Sequence, residues 1–113
     1  MSPLKPAHVP SIDVGAVTAD ATIVDVREDD EWSAGHVSGA SHVPMHAVPS
    51  RLAEIPSDRD IVVVCRRGSR SAQVTSYLNG VGYRAVNLTG GMQAWAASGR
   101  PMVSDSGEPP EVI

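Results

Sequence analysis

A chain of 113 residues with nine Lys and Arg against thirteen Asp and Glu carries a formal charge of −4, which excludes a general nucleic-acid binder, because phosphate binding needs a cationic face. One cysteine excludes an intramolecular disulfide, and with no Phe and only Trp32, Trp95, Tyr77 and Tyr83 as aromatics the packing falls to Ala, Val, Ile and Leu. The length suits one domain, which at this size buries enough surface to fold without disulfides or a structural metal.

Residues 1–8 read as a proline-rich tail, and the organised region as 9–100. The stretch HVPSI (8–12) is a weak strand whose Pro10 suits a sheet edge. Asp13 can cap a short turn through Val17. TIVDVR (22–27) is β-branched and too short to prefer helix. EDDEWSAG (28–35) places acidic residues in a first helical turn and Gly35 where the helix should stop. ASHVP (40–44) is a second weak strand, and HAVPSRLAEI (46–55) a helix ending before Pro56.

DIVVVC (60–65) is the clearest strand, and its apolar run implies burial on both faces, as in a central parallel strand. SRSAQVTSYLNG (69–80) is the clearest helix. Val74 and Leu78, with Ala72, Thr75, Ser76 and Tyr77, supply its inner face, and Gly80 and Gly82 end it. RAVNL (84–88) and GMQAWAAS (91–98) complete the series, and residues 101–113, rich in Pro and Gly, read as a loosely held, flexible C-terminal tail. Short β-branched runs alternating with helical segments, and no internal repeat, predict an α/β fold: a five-stranded, mostly parallel sheet with helices on both faces.

Ligands of an open α/β sheet sit beyond the carboxyl ends of its strands, and Cys65 lies at such an end. The helix that follows begins about four residues later, so Arg66, Arg67, Gly68 and Ser69 must curl tightly, and Gly68 permits the backbone conformation a curl demands. A curl of this kind points successive N–H groups inward at a helix N-terminus, forming a cup for an anion. Arg66, Arg67 and Arg70 surround the position. These features favour the thiolate and lower the thiol pKa, so Cys65 reads as a nucleophile rather than a packing residue.

Three separated stretches resemble the rhodanese-like domain family. DVREDDEWSAGHVSGASHVP (25–44) is similar to the family's pattern of Asp-Val-Arg, Glu, Gly-His, Gly-Ala and a closing Pro; CRRGSRS (65–71) to its active loop; and LTGGMQAW (88–95) to its glycine pair and Ala-Trp. The resemblance spans 9–100. It implies a five-stranded parallel sheet and a thiosulfate sulfurtransferase in which Cys65 attacks the outer sulfur of thiosulfate, releases sulfite and holds a persulfide until cyanide or a thiol takes it. Such double displacement gives ping-pong kinetics. The loop Arg66, Arg67, Gly68, Ser69, Arg70 and Ser71 would bind the anions, its amides stabilising the terminal sulfur. A persulfide carrier that serves a partner enzyme is the alternative within the same chemistry.

Ring size separates this reading from the phosphatases that also use a loop cysteine. Those resemble Cys-x5-Arg, whereas Cys65-x4-Arg70 encloses six residues and Val64 stands where they carry histidine; the smaller ring suits a single sulfur atom. Asp25 and Arg27, closing TIVDVR, are expected to support the loop, Asp25 by pairing with Arg70 or accepting loop amides and Arg27 by pairing with Glu31. His36 reads as a structural turn residue. Gly90 and Gly91 read as the exit from the last strand towards the active loop. The four histidines offer no ligand spacing, so neither metal nor organic cofactor is expected. Expected partners are a small anionic sulfur donor, a thiol or cyanide acceptor and, for the carrier, a protein, with neither nucleic acid nor membrane. MSPLKPAHVP has no apolar leader-like run and the lone thiol suits a reducing compartment, so a cytoplasmic location is expected.

Overall fold

The computed structural model of the protein describes residues 9–113. His8, the first residue of the first expected strand, lies outside them. Five strands form one wholly parallel sheet in the order β1-β5-β4-β2-β3, with β1 at Ser11–Ile12, β2 at Thr22–Asp25, β3 at Ser41–His42, β4 at Asp60–Val64 and β5 at Arg84–Leu88. The β-branched run of β4 is central and flanked by β5 and β2. Short β1, preceded by Pro10, is an edge, where a missing N–H costs no ladder bond.

The side-chain period of two along β4 divides the core. Ile61, Val63 and Cys65 face one layer with Val24, Val26, Val43 and the inner face of helix α2 (Ser69–Gly80). Val62 and Val64 face the other with Ile23, Val37 and Leu88, and with Met92 and Trp95 of α3 (Gly91–Ala97). Each fully buried Val or Ile contributes roughly 1.5–3 kcal/mol relative to exposure. The buried residues of α2 are Ser71, Val74, Thr75 and Leu78, a stripe at i, i+3, i+4 and i+7 that leaves Ser76 and Tyr77 exposed. Ser76 and Tyr77, expected on the inner face, therefore lie on the outer one.

Helix α1 occupies Asp29–Ala34, with Glu28 and Glu31 forming a reciprocal capping box at its start. Residues 46–55 do not make the expected continuous helix. They form two 3₁₀ turns, Met45–Ala47 and Pro49–Glu54, with Arg51 out of helical geometry at φ −118° and ψ 24°. Pro49 has no N–H to join an α-helical ladder, so the segment breaks into short i to i+3 turns. A third 3₁₀ turn, Val14–Ala16, follows Asp13, which caps it through its backbone carbonyl and not its side chain.

Residues 101–113, read from the sequence as a loose tail, lie against the domain. Val103 exchanges both backbone hydrogen bonds with His36, at 2.9 and 2.8 Å, and Glu111 N–H donates to Ala34 O at 3.0 Å. Met102 and Val112 pack on the α3-side core. The polar, Pro- and Gly-rich composition between these two apolar residues describes a surface turn, and two well-spaced anchors suffice to hold it. Gly35 makes the fit by size, since a Cβ there would come within 2.5 Å of Glu111 O and 2.7 Å of Met102 Cε. Among the described residues no helix is long and apolar enough to cross a membrane.

Candidate active site

Cys65 follows the last residue of β4, and Gly68 stands immediately before α2 with φ 113°, a left-handed conformation that favours glycine. The chain between them wraps the sulfur. Gly68 N–H donates to Cys65 Sγ at 3.1 Å and Ser71 Oγ lies at 3.2 Å, and the backbone amides of Ser71 and Arg67 add to the effect on its charge. Cys65 is buried. Burial pushes its thiol pKa up, but the Ser71 hydroxyl and the amides of Ser71, Gly68 and Arg67 outweigh burial, and the net displacement is below the usual 9.0. The neutral donors are the largest of the effects that lower it, and the Arg70 charge also couples to the sulfur.

The arginines have separate tasks. Arg70 makes a bidentate pair with Glu31 of α1, at 2.7 and 2.9 Å, which holds the Glu31 carboxyl below its usual range. Arg66 is half-buried and donates through Nε to Ile113 O at 2.8 Å. Arg67 is exposed and has no ion-pair partner among the described residues. Ser69 opens α2 at the surface.

Asp25 and Arg27 are fully buried and pair with each other. Asp25 Oδ2 lies 2.6 Å from one Arg27 nitrogen, and Oδ1 accepts from Arg27 Nε at 2.9 Å and from its backbone N–H at 3.0 Å. This corrects both expected pairings: Asp25 contacts neither Arg70 nor the loop amides, and Arg27 reaches the Glu31 carbonyl at 3.2 Å and Gly35 O at 2.8 Å, leaving the Glu31 carboxylate to Arg70. Two residues apart at a strand end, the pair satisfies itself before either side chain can span to the loop. Its link to the loop is indirect, through the anchored α1 that carries Glu31.

The glycine pair touches the loop directly. Met92 N–H donates to Cys65 O at 2.8 Å and Gln93 N–H to Arg66 O at 3.0 Å. A Cβ on Gly91 would stand 2.5 Å from Cys65 O and 2.7 Å from Arg66 C; only glycine lets α3 approach so closely. Two residues of the site were not singled out from sequence as loop contacts. Glu31 was visible as the acidic element of the first motif, four residues beyond Arg27. Asn87, which contacts both Ser71 Oγ and Gly68 O, had one signal, a polar residue within the otherwise apolar end of β5.

His36 and His42 both stack on Trp32, with ring centroids 3.6 and 4.7 Å away and near-parallel planes. His36 Nδ1 contacts Trp32 O and His42 Nε2 contacts Arg27 O, so both histidines are engaged in packing α1 on the sheet. Among the described residues no three His, Cys, Asp or Glu side chains are grouped to hold a metal ion. A cleft of about 590 Å³ lies at the opposite, amino ends of the strands, lined by Ile12, Thr22, Ile61 and Val86. It is remote from Cys65 and lies at the end of the sheet where such folds do not place ligands.

Comparison with known proteins agrees with this architecture. The profile of the Rhodanese-like domain matches residues 13–98. A sulfurtransferase of Allochromatium vinosum is 46% identical over 93 residues, covering 81% of this chain and 87% of that protein. A thiosulfate sulfurtransferase of Stutzerimonas stutzeri is 35% identical over 78 residues, covering 68% and 72%. The crystal structure of a rhodanese-related protein from Thermoplasma volcanium superposes with a TM-score of 0.79 at 28% identity, over 83% of this chain and 97% of that one. With the five-stranded parallel sheet, the cysteine loop at its carboxyl edge and a match over most of its length, the chain belongs to the rhodanese-like domain family.

Proposed function

We propose that the protein is a sulfurtransferase that moves sulfane sulfur from thiosulfate or a persulfide donor to cyanide, a thiol or a protein acceptor through a persulfide on Cys65. The observation that carries the reading is the hydrogen-bonded sulfur at the centre of a six-residue ring, with its thiol pKa held down by Ser71 and the loop amides. The names of the similar enzymes from Allochromatium vinosum and Stutzerimonas stutzeri support it.

In the first displacement the Cys65 thiolate attacks the outer sulfur of the donor. A bond forms from Sγ to that sulfur, the bond to the sulfonyl sulfur breaks, and the electron pair leaves with sulfite. Arg67, exposed and without an ion-pair partner among the described residues, and Arg66 steer the doubly charged donor and product. Arg70, bound to Glu31, contributes chiefly by fixing the loop. The inward amides then stabilise the terminal sulfur. The chain has no second cysteine, so an external nucleophile must take the sulfur in the second displacement. Intact-mass measurement after thiosulfate treatment tests the proposal: one added sulfur atom on wild type, discharged by cyanide, and none on a folded Cys65→Ser variant. No added sulfur from thiosulfate or from any persulfide donor would overturn it.

A further inference from the structure

Asn87 sits in β5, 7% exposed, behind the active loop. Its Nδ2 donates to Gly68 O at 3.1 Å. A carbonyl oxygen only accepts, so this contact fixes the amide orientation and leaves Oδ1 facing Ser71 Oγ, with which it makes a short contact. Ser71 Oγ also lies 3.2 Å from Cys65 Sγ. A hydroxyl has one proton and can fully serve only one of these two acceptors.

The charge on Sγ decides which. As a thiolate, Sγ is the stronger acceptor and draws the hydroxyl proton. After sulfur transfer Sγ is a neutral, divalent sulfur with single bonds to Cβ and to the terminal sulfur, and a weak acceptor, because the negative charge has moved to the terminal sulfur. A hydroxyl still aimed at Sγ would then leave the buried Asn87 Oδ1 without a donor, a costly arrangement. We propose that Asn87 is a positioning residue that receives the Ser71 hydroxyl hydrogen bond once negative charge leaves Cys65 Sγ, so that Ser71 holds the thiolate before transfer and releases the sulfur after it. The proposal rests on the persulfide reading above. Only a rotation about the Ser71 side chain is required; no proton leaves its oxygen.

The charged groups around the loop include Arg66, Arg67 and Arg70 of the loop itself, Glu31 of α1 and Glu28 before it acting on Arg70, and the Asp25–Arg27 pair at the end of β2. From β5 and α3 the contacts to the loop are neutral, those of Asn87 and the amides of Met92 and Gln93. Asn87 therefore acts on Sγ through the hydroxyl and not through charge.

The test is a double-mutant cycle read by the pH profile of iodoacetamide alkylation, which reports the thiolate without any sulfur transfer. Asn87→Leu removes the competing acceptor, so alkylation at pH below the thiol midpoint should rise roughly threefold, the gain of about half a hydrogen bond. Ser71→Ala should slow it, and in the Ser71→Ala background Asn87→Leu should have no effect on the midpoint. A midpoint that rises in Asn87→Leu, or that shifts equally with and without Ser71, overturns the proposal and assigns Asn87 to Gly68 O alone. If Asn87→Leu does not fold, Asn87→Asp provides the opposite arm: a stronger acceptor should raise the midpoint, with at least half of the rise lost in Ser71→Ala. Persulfide formation from thiosulfate, measured by intact mass, should slow in Asn87→Leu despite its more abundant thiolate. Absence of persulfide in wild type would sink the sulfur-transfer reading while leaving the alkylation cycle to decide the hydroxyl coupling.

Discussion

The ends of β2 and β4 lie side by side, Asp25 in register with Val64 and Val26 N–H bonded to Val64 O, yet they handle buried charge in opposite ways. At the end of β2 a full positive and a full negative charge are paired at 2.6 Å with no exposed surface. At the end of β4 an anion is favoured with no cation in contact with it, held by amides and a hydroxyl. A salt bridge pins its partner and leaves little reactivity. Dipoles lower the energy of a thiolate while leaving its lone pairs available to a donor. The first arrangement builds a platform, and the second sets up the sulfur that we propose as the nucleophile.

The sharpest way to break this contrast is to remove one charge from the platform. Arg27→Met leaves Asp25 as an uncompensated buried carboxylate and should cost about 3–5 kcal/mol, whereas replacing both, Asp25→Leu with Arg27→Met, should recover most of that loss. Urea unfolding measures both. If Arg27→Met kept full stability and lost only sulfur transfer, the division into platform and nucleophile would be wrong. Gly91→Ala strikes the other strand end. Its Cβ would meet Cys65 O and Arg66 at 2.5 and 2.7 Å, at a φ of 58°, and strain plus overpacking should cost about 2–4 kcal/mol. Because the clash falls on the loop backbone, the alkylation midpoint of Cys65 should also move up, towards an ordinary thiol, which Arg27→Met would not cause by itself.

The strand ends also mark where the sequence was informative. Five strands and the helix on 69–80 were legible because β-branched runs, glycine stops and helical spacing each report a local preference. The loop was legible for the same reason: Cys65, Gly68 and Ser71 lie within seven residues, and a tight curl leaves the sulfur little choice of neighbours. Charge pairing was not. Asp25, Arg27, Glu31 and Arg70 can be matched in more than one way, and the choice depends on which side chains share a buried space; the two-residue separation of Asp25 and Arg27 settled it only once the strand end was in place. Asn87 comes from a different strand, 16 residues beyond Ser71, so its contacts arise from the parallel register of β4 and β5; its polar side chain at the apolar end of β5 marks the position but not its partners. The folded-back 101–113 segment was missed because composition reads the polar turn and passes over the two apolar anchors.

The pair between Glu31 and Arg70 joins the two regions, and Glu31→Gln is the smallest of these perturbations. The side chains are partly exposed, 13% and 30%, so losing the charge should cost about 1 kcal/mol. The pH dependence identifies the cause. Arg70 holds the folded-state Glu31 pKa below the usual 4.5, so the stabilisation is complete above the unfolded value and is lost as pH falls through the folded one. The stability gap between wild type and Glu31→Gln should therefore be constant near neutrality and close on acidification below about pH 4.5. A gap that persists in acid would mean that the carboxylate charge is not what ties α1 to the loop, and that the capping-box hydrogen bond to Glu28 N–H, at 3.1 Å, carries the link instead.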